Sequence, residues 1–338
     1  MKNKSNINRR NFLQTAATLG IGISLYPRSA YAAFPVPQKG KRVGIIGLDT
    51  SHSIEFVKTL NATEANDTYG GYRVTAAYPY GSREIKSSYS RISGYTEQVK
   101  AYGVTISSSI AELLKVTDVI MLETNDGRLR LEQAKMIFEA GKPVFIDKPV
   151  AASYRDVVRI YELAERHKVP VFSSSTLRYV ENMEKLQNGS LIGKILGAET
   201  FSPCEIEPSH TDLYWYGVHG VEMLFAVMGL GCSTVQRTHT ASTDIVTGVW
   251  EDGRVGIFRG TRSGVYAYGG MAFGEKGNVP ITGYHGYEPL LQKIIDFYRT
   301  GISPVNSKET IELYAFMEAA DVSKRQHGRE ISLAELKF

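Results

Sequence analysis

Asp147-Lys148-Pro149 is the tripeptide of this sequence best placed to do chemistry. Val144-Phe145-Ile146 before it is a short apolar run, announced by Gly141 and Pro143 and closed by Pro149, which predicts a buried strand. Lys148 then leaves that strand at its carboxyl end. In an open parallel α/β sheet, ligands bind in the crevice outside those ends, so Lys148 is expected to point into a cleft. There it can act as an electrophile, an acid or a base; a solvated surface Lys is the plainer alternative. Thr176 and Arg178 leave the last parallel strand at the same end and are expected substrate contacts. Tyr214-Trp215-Tyr216 offers rings that stack on a sugar or simply pack a core. His210, Asp212 and His219 match no common ligand spacing and no Cys/His pattern has zinc spacing, so no metal is expected.

The elements that must carry these residues follow from apolar periodicity. Residues 41–47 (KRVGIIG) read as a strand ending in Gly47, and Asp49-Thr50-Ser51-His52-Ser53 supplies helix-cap types ahead of Ile54, Phe56, Val57 and Leu60. Strands are predicted at 73–78, 104–106, 118–122, 144–146 and 169–172, with helices at 96–102, 109–114, 130–140 and 153–167 between them. That alternation implies right-handed crossovers and a Rossmann-like, doubly wound parallel sheet over residues 40–176. Afterwards the pattern changes to strands at 197–201, 233–240, 244–251, 254–259 and 265–273, separated by turns such as Glu251-Asp252-Gly253, with closing helices at 290–300 and 307–326. Residues 177–338 therefore read as a second, α+β domain with a largely antiparallel open sheet.

The amino terminus reads as an export signal. Asn8-Arg9-Arg10-Asn11-Phe12-Leu13 is a twin-arginine pattern, followed by an uncharged apolar run at 15–26 and the small-x-small site Ala30-Tyr31-Ala32. Cleavage after Ala32 is expected, leaving no membrane anchor, because the run is shorter than the roughly 20 residues a spanning helix needs. Periplasmic residence follows. The signal carries five of the 39 basic residues and none of the 35 acidic ones, so the mature chain is close to neutral. The basic balance belongs to the signal, and nucleic-acid binding is not expected. About 306 residues remain, enough for two sizeable cores. Cys204 and Cys232 either pair in an oxidising compartment or stay as buried free thiols.

With its dinucleotide-type amino-terminal half, its Asp147-Lys148-Pro149 strand end and its antiparallel second half, the chain resembles the Gfo/Idh/MocA oxidoreductases over nearly all of its mature length. Arg178 matches the family's Arg after the last strand of the nucleotide domain, and Gly217-Val218-His219-Gly220-Val221-Glu222 is similar to its G-x-H-x-x-D tract. The resemblance implies an exported enzyme binding NAD or NADP and acting on a sugar or polyol, with Lys148 and His219 catalytic. Asp212, Tyr216 and Glu222 join Thr176 and Arg178 as implied substrate contacts. His is suited to accept a hydroxyl proton as the carbon loses hydride, and an ammonium beside that oxygen stabilises developing negative charge. A homo-oligomer through the second-domain sheet is also implied. A redox-neutral lyase or glycosidase-type reaction with retained cofactor, and a non-catalytic sugar-binding role, are the competing readings.

The pattern departs from the family at four places. The fingerprint G-x-G-x-x-G becomes Gly47-Leu48-Asp49-Thr50-Ser51-His52, keeping the first Gly alone. Thr50, Ser51 and His52 can still donate to a phosphate, or Asp49 or Ser51 can serve only as a helix cap. No acidic residue ends the second strand; Ser82 and Arg83 there would suit a 2′-phosphate. Glu123, Asn125 and Asp147 complete the expected cofactor contacts, while Arg130 falls where family members carry a His. Trp215 replaces the Asp four residues before the catalytic His, so Glu123, Asp212 or Glu222 is expected to orient His219.

Overall fold

The computed structural model describes residues 40–63 and 68–336, which belong to one compact unit. The expected export signal lies outside the described residues.

Six parallel strands form the first sheet, in the order β3-β2-β1-β4-β5-β6. They are β1 (Arg42–Ile46), β2 (Arg73–Tyr78), β3 (Thr105–Ile106), β4 (Val119–Leu122), β5 (Val144–Ile146) and β6 (Val171–Phe172). The reversal of strand order between β1 and β4 opens the crevice at their carboxyl ends, as the doubly wound pattern requires. β4 and β5 are buried along their whole length because helices cover both faces, which is why they read as unbroken apolar runs. The crossover helices are α1 (Ser51–Asn61), α2 (Lys86–Ala101), α3 (Ile110–Val116), α4 (Arg130–Glu139) and α5 (Tyr154–His167). Helix α5 shows why these segments are helical. Ser153 Oγ accepts from Asp156 N at 3.2 Å, Asp156 opens the helix, and Arg166 and His167 end it, all in the sense the helix dipole favours.

After α6 (Met183–Gln187), the chain builds a seven-stranded sheet in the order β12-β11-β7-β10-β9-β8-β13. Its strands are β7 (Ile195–Pro203), β8 (Cys232–His239), β9 (Thr243–Trp250), β10 (Val255–Thr261), β11 (Gly269–Gly274), β12 (Gly277–Ile281) and β13 (Ile331–Ser332). All neighbours pair antiparallel except β7 with β10. One face packs on α8 (Val218–Met228) and α10 (Ser307–Arg325), which follow the short α7 (Asp212–Trp215), and α9 (Glu288–Thr300) lies between them in sequence. Phe225 of α8 meets Trp250 of β9 and Phe316 of α10, each at a centroid distance of 5.6 Å. Gly220 lets α8 approach the sheet, since a Cβ there would lie 2.3 Å from the Phe258 ring. Helix α9 (Glu288–Thr300) instead returns to the first sheet: Phe297 packs on Phe172 at 4.8 Å and Tyr298 Oη donates to the Ile120 carbonyl at 2.7 Å.

Three local expectations are corrected. Helix α2 begins at Lys86 rather than residue 96, because it buries only Ser88 and Val99 and so leaves almost no apolar stripe to read. Strand β11 starts at Gly269, leaving Val265 and Tyr266 exposed before it. Strand β12 was hidden by Pro280, which an edge strand tolerates. Cys204 and Cys232 are separate, buried free thiols.

Candidate active site

Lys148 leaves β5 into a cavity of about 360 Å³ at the carboxyl edge of the parallel sheet. Its lining includes Lys148, Thr176, His219 and the rings of Trp215, Tyr216, Tyr268, Tyr284 and Tyr287. The same cavity is lined by Thr50, Ser51 and His52 at the start of α1, Asn125 after β4, and Ser87 and Arg91 of α2. Burial pulls the Lys148 ammonium below the ordinary lysine range; Asp147 opposes that pull and Arg130 adds to it.

His219 enters from the first turn of α8, with Nδ1 2.7 Å from Ser175 Oγ. The expected carboxylate partners are not there, and the hydroxyl of Ser175 takes their place. Ser175 was overlooked although Ser173-Ser174-Ser175 follows a predicted strand end, which was the available signal. Burial drives His219 well below the ordinary histidine range, with Lys148 and His52 pushing the same way, so its imidazole is neutral at pH 7.

Several expected substrate contacts are committed elsewhere. Arg178 Nε donates to Glu222 Oε1 at 2.7 Å and Nη2 donates to Glu309, while Ser174 Oγ donates to Glu222 at 3.0 Å. This group is buried and does not line the cavity, so Arg178 and Glu222 clamp α8 and α10 to the end of β6. Arg178→Leu is expected to cost about 3–5 kcal/mol in urea unfolding, because Glu222 is left buried without a counter-charge; a loss under 1 kcal/mol would show the clamp to be incidental. Asp212 accepts from Arg237 Nη2 at 2.9 Å and Lys324 Nζ at 2.6 Å, again away from the cavity. His210 Nε2 accepts from Gly127 N at 2.9 Å, and burial lowers its pKa to about 4. His210, Asp212 and His219 therefore share no partner. Thr176 and Tyr216 do line the cavity, with Thr176 Oγ1 donating to the Gly286 carbonyl at 2.6 Å.

The fold implies a dinucleotide, and the residues at the first βα turn fit one in altered form. Gly47 has φ +96°, and a Cβ there would lie 2.4 Å from Thr124 N, so the tight first turn of the fingerprint is kept. Asp49 replaces the second Gly, yet its carboxylate faces away from the cavity. It accepts from Ser88 Oγ at 2.5 Å and Asn125 N at 3.1 Å beneath Gly81, whose missing Cβ makes room for it. Burial raises the Asp49 pKa, and the hydrogen bonds from Ser88 and Asn125 and the charge of Arg130 oppose that rise. Thr50, Ser51, Asn125, Ser87 and Arg91 then present hydroxyls, helix-start amides and a cation to an anionic group. Ser82 and Arg83, the expected 2′-phosphate contacts, do not line this cavity. Ser82 is buried and accepts from Glu84 N and Ile85 N, turning the chain into α2, and Arg83 points outside the cavity.

Beneath the cavity lies a group of buried charges. His52 Nδ1 is 2.9 Å from Asp147 Oδ2, and Glu123 brings a second carboxylate within 4.8 Å of both. Arg130, fully buried and donating to the Thr124 carbonyl at 2.7 Å, faces this group from α4, and Lys148 flanks it. These protein cations balance the carboxylates. Burial and the neighbouring Asp147 raise Glu123 well above the usual range; burial alone would raise Asp147 too, but His52, Lys148 and Arg130 hold it low.

Comparison with known proteins agrees with this geometry. Residues 41–175 match the Gfo/Idh/MocA family, described as "Oxidoreductase family, NAD-binding Rossmann fold". That match spans the six parallel strands of the first sheet. Similar structures extend the likeness of fold through the second sheet. A probable dehydrogenase from Thermotoga maritima aligns with TM-score 0.71 at 20% identity, covering 88% of this chain and 100% of its own. Scyllo-inositol dehydrogenase from Lactobacillus casei, with bound NAD(H) and scyllo-inositol, gives 0.71 at 13% identity over 88% and 100% of the chains. Myo-inositol dehydrogenase from Lactobacillus casei, in complex with NAD(H) and myo-inositol, gives 0.69 at 13% over 89% and 98%. A search of curated proteins found no match. Against the fingerprint G-x-G-x-x-G, the chain keeps the first glycine and carries Asp49 and His52 at the other two.

Proposed function

We propose that the chain is an NAD(P)-dependent oxidoreductase acting on a carbohydrate or polyol hydroxyl, exported to the periplasm by the twin-arginine route. The observation that carries this reading is the meeting of Lys148 and His219 in one cavity, walled by aromatic rings and ending at the start of α1. Thr50, Ser51, Ser87, Arg91 and Asn125 hold the dinucleotide. When bound, its oxidised nicotinamide supplies the hydride acceptor that no side chain provides. Lys148 stands at the reacting oxygen, where its ammonium stabilises the charge that grows as the O–H proton leaves. An imidazole takes that proton, a role the family resemblance gives to His219. Tyr216, Tyr268 and Tyr287 offer faces and hydroxyls to a ring of C–H and O–H groups, which suits the inositols named for similar structures. Leu196, Phe201 and Val255 are exposed on strands of the second sheet, and this surface is proposed to join copies of the chain.

Calorimetric titration of the exported protein with NAD⁺ and NADP⁺, followed by an inositol and aldose panel read at the reduced-nicotinamide absorbance, tests the reading. Binding of one dinucleotide with net reduction on at least one polyol is expected. Binding without net reduction on any polyol that is consumed would move the chain to a redox-neutral reaction, and no binding would overturn the proposal.

A further inference from the structure

His52 stands where the fingerprint has its third glycine, a position that ordinarily carries no side chain at all. Its ring is fixed on two sides, 4.6 Å from the Tyr287 ring and 6.1 Å from that of Phe56. Nδ1 is turned down to Asp147 at 2.9 Å, so the opposite nitrogen, Nε2, is turned away from Asp147 in a ring that lines the cavity. Asp147 is fully buried, and among the described residues no side chain or backbone group makes a well-aligned hydrogen bond to either of its oxygens. The His52 contact has the distance of a hydrogen bond but not yet its angle, as catalytic pairs often do before substrate binds. Across the same cavity, His219 leans on a hydroxyl, and the place of its usual carboxylate is taken by Trp215, whose ring lies 5.1 Å from His210. The imidazole backed by a carboxylate has thus moved from the second domain to the start of α1.

We propose that His52, oriented by Asp147, is the catalytic residue that accepts the substrate's hydroxyl proton, with His219 a substrate contact. This rests on the oxidoreductase reading above and sharpens it. In the step, His52 Nε2 takes the O–H proton while the carbinol C–H leaves as hydride for the oxidised dinucleotide. The O–H bonding pair stays with oxygen and closes the C=O bond. Nδ1–H remains against Asp147, which keeps the accepting lone pair on Nε2, so Asp147 is a positioning residue. The groups facing His52 are Asp147 and Lys148 after β5, Glu123 after β4, Arg130 on α4, His219 on α8 and Tyr287 before α9.

The test has two independent readouts. In the full chain labelled with ¹⁵N-histidine and free of dinucleotide, the signal that disappears in His52→Gln is expected to be an Nδ1–H tautomer. Asp147→Asn is expected to convert it to the other tautomer, with the melting temperature of both variants monitored. An Nε2–H tautomer in the wild type, or no change in Asp147→Asn, overturns the pairing. In turnover, His52→Gln and Asp147→Asn are expected to lose about 10²–10⁴-fold in kcat with KM changed less than about threefold, whereas His219→Asn chiefly raises KM. Abolition of kcat by His219→Asn, with more than about a tenth retained by His52→Gln, overturns the assignment. If the wild type neither binds a dinucleotide nor oxidises a polyol, the oxidoreductase reading itself has failed, and the tautomer result still decides whether Asp147 orients His52.

Discussion

Lys148→Met is expected to lower kcat by about 10²–10³-fold while KM changes little. The reason lies in where β5 ends. Three buried residues carry the chain to the sheet edge, and the next polar group released into the cavity is the Lys148 ammonium. Burial lowers its pKa, so the charge it keeps is sustained by Asp147 and Glu123 close by. Met preserves the length and apolar stem of the side chain while removing the positive end, which isolates the electrostatic contribution. Steady-state kinetics on the polyol that turns over fastest checks it, with circular dichroism to confirm the fold. Activity within about threefold of the wild type would refute the role given to Lys148.

Arg237→Met is expected to be the most damaging change to stability, at about 3–5 kcal/mol in urea unfolding. Arg237 is fully buried and donates to Asp244 at 2.8 Å, Asp212 at 2.9 Å and Asp321 at 3.3 Å, while its backbone N–H donates to Ser323 Oγ at 2.9 Å. It therefore ties β8 to β9, α7 and α10, and its loss leaves several carboxylates short of a counter-charge. The pH dependence follows with a definite sign. Burial pushes Asp244 and Asp212 up, but Arg237, helped by Arg262 at Asp244 and Lys324 at Asp212, brings both below the ordinary aspartate range. Groups whose folded pKa is depressed stabilise fully above their unfolded pKa, near 3.9, and lose that contribution as pH falls through the folded value. The wild type should therefore lose stability on acidification below about pH 4, and Arg237→Met should lose less over the same range. An equal or steeper acid loss in the variant would contradict this account.

How much could be read in advance depended on whether a residue's role was local. The parallel sheet was legible because Val119–Leu122 and Val144–Ile146 are apolar runs bounded by turn residues, and because Ser109 and Ser153 cap the helices beside them. Lys148 was legible for the same reason, as a charged residue at the end of such a run. Arg178 looked like a substrate contact because the sequence placed it at a strand end, yet it is held by Glu309, 131 residues later, which no local pattern announces. The hydroxyl behind His219 was hidden in the same way, since Ser175 lies 44 residues before it. Tyr284 and Tyr287 reach the cavity from an irregular, glycine-containing segment without periodicity, and Tyr268 from the residues just before β11, which the sequence read as strand. His52 was visible as a broken fingerprint, but its partner could be seen only once β1 and β5 had been placed in one sheet.

The most direct test of the central claim follows the hydride. Polyols deuterated at their carbinol carbons would be incubated with the protein and oxidised dinucleotide, and the reduced nicotinamide analysed by mass spectrometry. Deuterium in the nicotinamide ring, lost in Lys148→Met, is the predicted result. Consumption of the polyol with no deuterium reaching the nicotinamide would contradict the account.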